Sequence, residues 1–253
     1  MANMTAEALE RAQRDVDSRV EALAEERGLS SEEEQLFPIF DGIADEAGYL
    51  ASKLKVAWVL KEPYDDFGDD GNPCGGGWSL VKDCFLKHDE NWVDERGHCQ
   101  WKNPVWQKIA YVMYGFNHGR HWEDMDRIRD NPGMMDEIKY IAWINLSKMP
   151  ARKSSSDGSY AYMYLTFWKE LVDWQIDVCR PDVLIFGKTF GSFRQAHESA
   201  NLERVDSISN DWAEVWRCGS QYWVDTYHPG RKGGDYVNAL IDVLNGIRAV
   251  TRR

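Results

Sequence analysis

Apolar residues recur at three- and four-residue steps across positions 5–27, where Leu9, Ala12, Val16, Val20 and Leu23 share one stripe and charged residues fill the other faces. This spacing predicts an amphipathic helix, ended by Gly28. Ser30-Ser31-Glu32-Glu33-Glu34 reads as the cap and first turn of a second helical stretch. The pattern then changes. Val56–Leu60, Ile141–Asn145, Asp182–Phe186 and Tyr222–Thr226 are short apolar runs, partly β-branched or aromatic, each followed by loop residues. Such runs predict buried strands. Helical spacing returns between and after them, at about 104–115, 160–178, 190–199 and 236–249. Pro104 is placed to open the first of these helices, and Pro181 marks the break between the second and the third strand. Strands alternating with helices predict an α/β fold, three-layer α/β/α, with a parallel four-stranded sheet at its centre. Residues 1–50 are expected as a helical extension packed on an α/β domain of 51–253.

Ligands of open parallel sheets bind beyond the carboxyl ends of the strands. The segments just past the four runs are Lys61-Glu62-Pro63-Tyr64, Asn145-Leu146-Ser147-Lys148-Met149-Pro150, Gly187-Lys188-Thr189-Phe190 and Tyr227-His228-Pro229-Gly230-Arg231-Lys232. All four are expected on one rim, bringing together a carboxylate, an amide, a histidine and several cations. Residues 61–103 form a long irregular connection, a length that is often functional.

Composition narrows the partners. The 253-residue chain is 43 % hydrophobic and 28 % charged, which is ordinary for a globular protein with a full core. Its net charge of −12 repels polyanions at long range, which counts against avid nonspecific nucleic-acid binding but leaves room for a local basic patch. The five cysteines, an odd number with no Cys-x-x-Cys pair, and the lack of a secretory or membrane-spanning stretch predict a reduced, cytoplasmic protein. Cys84, His88, His98 and Cys99 are spaced unlike a common zinc site, so no metal is expected there.

The rim segments, in their order, resemble the uracil-DNA glycosylase superfamily. Its best-known branch carries Gly-Gln-Asp-Pro-Tyr-His after the first strand, and Leu60-Lys61-Glu62-Pro63-Tyr64-Asp65 stands in that place. Gly75-Gly76-Gly77-Trp78-Ser79 is similar to the family's glycine-bearing loop that ends in Phe and Ser. Asn145 closes a strand as the family's Asn does, Phe186-Gly187 loosely matches its Trp-Gly pair, and His228-Pro229 opens the last motif. The match runs from about residue 50 to 250.

The resemblance implies base flipping and hydrolysis of the N-glycosidic bond of uracil or a related damaged base in DNA, in a repair role, by a monomer without metal or cofactor. Glu62 would orient water and stabilise an oxocarbenium-like sugar. His228 would donate to the base oxygen that gains charge. Asn145 would read a pyrimidine edge, since its amide offers both a donor and an acceptor. Trp78 would stack on the base, and Tyr64 would form the wall against a 5-methyl group. Lys148, Arg152, Lys153, Lys188, Arg231 and Lys232 would form a phosphate-contacting rim.

The chain also departs from the family. Glu62 is one methylene longer than the usual Asp, Leu60 replaces a glycine, and Asp65 replaces a His. Arg231-Lys232 replaces the Pro-Leu whose leucine wedges into the duplex. These changes imply a divergent member acting on a single-stranded, unusual or non-DNA substrate, or on a free nucleobase or nucleotide. Two other readings stand beside it. One is a noncatalytic member that binds a nucleobase, nucleic acid or protein. The other is a metal-dependent phosphoesterase built on Asp65, Asp66, Asp69 and Asp70.

Overall fold

The computed structural model describes residues 4–65, 68, 74–151 and 159–251. The N-terminal stripe forms α1 (Ala6–Glu26), whose first turn donates from Ala8 N to Thr5 Oγ1. The second helix expected from Ser30 does not form. Ser31 and Leu36 instead exchange backbone hydrogen bonds of 2.8 Å, and Ser31 Oγ caps only a turn. Gln35 has a positive φ of 51°, which breaks helical backbone, and Pro38 disfavours it at Phe37.

The chain continues through β1 (Gly42–Ile43), α2 (Glu46–Ala51), β2 (Val56–Leu60), α3 (Pro104–His118) and β3 (Ala142–Asn145). Next, α4 (Ser159–Met163) runs through a π-helical turn at 164–168 into α5 (Lys169–Cys179). Then come β4 (Val183–Gly187), α6 (Phe190–Ala196), β5 (Leu202–Arg204), β6 (Ala213–Cys218), β7 (Gln221–Thr226) and α7 (Gly234–Thr251). Pro104 opens α3, with Asn103 as its cap.

The fold is mixed α/β. One seven-stranded sheet has the order β1-β3-β2-β4-β7-β6-β5. Its four middle strands, β3, β2, β4 and β7, pair in parallel. The edges are antiparallel: β1 on β3, and β6 between β7 and β5. The expected four strands are thus the middle of a larger sheet. β6 does not stand out as an apolar run because exposed Glu214 and Arg217, on opposite faces, interrupt buried Ala213 and Val215.

Alternation along the middle strands feeds two cores. Val56, Trp58 and Leu60 pack with residues of α3 and α7. Ala57 and Val59 pack with residues of α1 and α5 on the opposite face. The first 50 residues therefore add to both the sheet and a core, since Gly42 and Ile43 pair with Trp143 and Ala142. Among the described residues no helix is long and apolar enough to cross a membrane.

Candidate functional site

Three of the middle strands deliver site residues at their carboxyl ends. β2 leads into Glu62, β3 ends at Asn145, and β7 leads into His228. Parallel pairing sets Leu60 beside Asn145. The pairing continues past the strand ends, because Leu146 N donates to Leu60 O, Ser147 N to Lys61 O and Ala151 N to Pro63 O. These bonds hold the segments carrying Glu62 and Asn145 side by side. On the other flank, a Cβ on Gly187 would stand 2.6 Å from Leu60 Cδ2 and 3.2 Å from Pro229 Cδ. Glycine there lets the His228-Pro229 segment close against β2.

The triple glycine positions the aromatic. Gly75, Gly76 and Gly77 all have positive φ, at 86°, 87° and 74°. The loop runs beside residues 35–40, with Gly75 N donating to Gln35 O, Gly77 N to Pro38 O, and Phe40 N to Trp78 O. A Cβ on Gly76 would lie 1.9 Å from Phe37 O. Gly76→Ala is therefore expected to lower stability by roughly 1–3 kcal/mol through backbone strain and to shift Trp78 out of register. Urea unfolding together with the indole N–H resonance of Trp78 checks both effects.

Asp65 has a role that the local sequence does not reveal. Its Oδ2 accepts from Trp78 Nε1 at 2.6 Å and from Gly76 N at 2.7 Å. The first aspartate of the acidic run thus orients the candidate stacking ring. Asp66, Asp69 and Asp70 lie outside the described residues.

Glu62, Tyr64, Trp78, Asn145 and His228 line one cavity of about 170 Å³, completed by apolar and aromatic residues such as Leu80, Trp106 and Trp143. Glu62 and Asn145 are buried, at 7 % and 3 % exposure, while Tyr64 is 42 % exposed at the mouth. Asn145 N donates to Asp41 Oδ2 at 2.7 Å, which fixes its backbone.

His228 is poised as a neutral donor. Gly230 N donates to its Nδ1 at 3.2 Å, so the proton of the neutral ring sits on Nε2. Burial, followed by the charges of Lys61, Lys188 and Lys232, holds the imidazole below its ordinary pKa. The folded state therefore disfavours the imidazolium. Stability from this group is complete above the ordinary histidine value of about 6.5 and is lost as pH falls from there through the depressed folded value. An NMR titration should place the His228 midpoint below about 6.5, and Lys188→Gln should raise it. A midpoint at or above the ordinary value in the unaltered protein would contradict this.

The expected phosphate rim divides. Lys188 and Arg231 are exposed, both with positive φ, at 65° and 62°. Lys232 is half-buried, its Nζ 4.5 Å from the Tyr227 ring centre. Arg152 and Lys153 lie outside the described residues. Lys148 does not belong to the rim. It is fully buried, with Nζ 2.8 and 2.9 Å from the two oxygens of Asp41 and 2.8 Å from Gln175 Oε1. A lysine this far from water requires a paired carboxylate, and Asp41 supplies it from 107 residues earlier in the chain.

Among the described residues no group of three or more His, Cys, Asp or Glu side chains is placed to hold a metal ion. His88 spends Nδ1 on Asp89 O and Nε2 on Phe85 O. Burial, with Asp83, Asp94 and Asp65 nearby, pushes the Cys84 thiol up to about 11. In comparison with known proteins, no family model matches the chain and no curated protein matches it.

Proposed function

We propose that the protein is a DNA glycosylase that hydrolyses the N-glycosidic bond of uracil or a related pyrimidine lesion, on a uracil-DNA glycosylase-like fold. The single observation carrying this reading is the convergence of Glu62, Tyr64, Trp78, Asn145 and His228 on one small cavity at the carboxyl ends of parallel strands. Its volume of about 170 Å³ falls below the ~300–1,000 Å³ typical for drug-sized ligands and suits a single-ring heterocycle.

Each residue then has a role. A flipped base stacks on Trp78, and its edge is read by the Asn145 amide. The Glu62 carboxylate stabilises positive charge on the sugar and orients water towards C1′. As the C1′–N bond breaks, the electron pair leaves with the base. The Nε2–H of His228 donates to the oxygen that gains this charge. Water completes the bond to C1′, and its proton leaves through Glu62.

The test is excision from single- and double-stranded oligonucleotides carrying uracil or a panel of modified bases, with and without EDTA, followed by alkaline cleavage of abasic sites. EDTA-resistant cutting that is lost in His228→Ala supports the glycosylase. Binding without cutting supports a noncatalytic base-binding protein, a reading favoured by Arg231 and Lys232 standing where the family has its wedge. Cutting that EDTA abolishes would overturn both.

A further inference from the structure

We propose that Tyr227, backed by Trp212 and Lys232, is a stacking subsite for the nucleobase next to the flipped one, so that the protein engages single-stranded DNA. The inference rests on the glycosylase reading but concerns a surface outside the base cavity. Tyr227 immediately precedes His228, and it is 51 % exposed.

The ring is held in place. Tyr236 Oη donates to Tyr227 O at 2.9 Å. Trp212 meets Tyr227 edge-on at 5.7 Å between centres and 75°, and meets Tyr236 at 5.9 Å and 82°. The Trp212 carbonyl accepts from Thr226 Oγ1 at 2.8 Å. These contacts fix the backbone and one edge of the platform before any ligand arrives, which limits the ordering cost of binding.

A cation covers one face of the ring: Lys232 Nζ lies over it, 4.5 Å from the Tyr227 centre and 5.7 Å from that of Trp212, so a base would stack on the opposite face. Lys61 lines the base cavity, and Lys188 lines the open cavity beside Tyr227. An exposed aromatic ring next to clustered ammonium groups is the arrangement that takes a base on the ring and its phosphates on the cations.

The adjoining open cavity of about 670 Å³ is lined by Lys188, Trp212 and Tyr227, but also by Asp211, Glu214 and Asp225. Those carboxylates repel phosphate, which keeps the strand on the lysine edge. A ring that stacks on an unpaired base has no such face to meet in an intact duplex. Arg231, in place of an apolar wedge, supplies no means of opening one.

The experiment measures binding of a labelled, uracil-free oligothymidylate by fluorescence anisotropy across a salt series, beside the excision assay. The unaltered protein should bind. Tyr227→Ala should weaken binding about tenfold, and Tyr227→Phe, which keeps the ring, should bind like the unaltered protein. Lys232→Gln should reduce the salt slope by about one phosphate contact and serves independently if Tyr227→Ala fails to fold. Binding that is undetectable, or unchanged in Tyr227→Ala and Lys232→Gln, overturns the subsite even if excision occurs. Ring-dependent binding without excision of any base retains the subsite and removes the glycosylase reading.

Discussion

Replacing Lys148 by Met is expected to cost about 3–5 kcal/mol of folding stability, a large share of what holds a typical domain folded. Its ammonium and the Asp41 carboxylate are each 1 % exposed. Methionine keeps most of the stem but leaves Asp41 as an uncompensated charge among buried neighbours. The remaining donors, Gln175 Nε2 at 2.8 Å and Asn145 N at 2.7 Å, do not replace a full positive charge. Adding Asp41→Asn should recover part of the loss, because both charges are then gone and an acceptor for Asn145 N remains. Urea unfolding of the two single variants and the double variant measures the coupling. Equal stability of Lys148→Met and the unaltered protein would mean that the pair is not buried in solution. Excision should fall with the single variant as well, since the same Asp41 carboxylate fixes the backbone of Asn145.

Glu62→Gln is expected to reduce excision by at least roughly 10²–10³-fold, the scale set by deleting one preorganised electrostatic contact to a transition state. Glutamine has nearly the same shape and fits the same wall, so base binding by Trp78 and Asn145 should persist. On the proposed glycosylase reading, what disappears is the negative charge facing an oxocarbenium-like sugar. The loss should therefore appear in kcat with little change in KM. A Gln variant with full activity would remove Glu62 from the chemistry. The added methylene relative to the Asp of the uracil-DNA glycosylases that the chain resembles makes Glu62→Asp informative too. If the cavity is built around the longer side chain, the shorter one should also be impaired despite keeping its charge.

The features of the fold that are legible in the sequence share a physical cause. β2, β3, β4 and β7 lie in the middle of the sheet, between two cores, so most of their residues are apolar and stand out as runs. Their parallel pairing then makes the carboxyl ends converge, which is why Glu62, Asn145 and His228 are recognisable as neighbours. The hidden features depend on long-range pairing. Nothing local distinguishes the buried Lys148 from an exposed rim lysine, because its partner Asp41 lies far away in the chain. Asp65 looks like one member of a solvated acidic run until the glycine turns carry Trp78 Nε1 back to it. β6 escapes because exposed Glu214 and Arg217 break its apolar run. The unformed second helix shows local capping chemistry overridden by a proline a few residues on.

Whether these side chains share one base-sized cavity is open to direct measurement by NMR, in a titration of isotopically labelled protein with free uracil. The side-chain amide of Asn145, the indole N–H of Trp78 and the ring of His228 should shift together along one binding curve. Absence of change at all three with millimolar uracil, or shifts confined to a surface away from them, would contradict a common site for a single planar heterocycle.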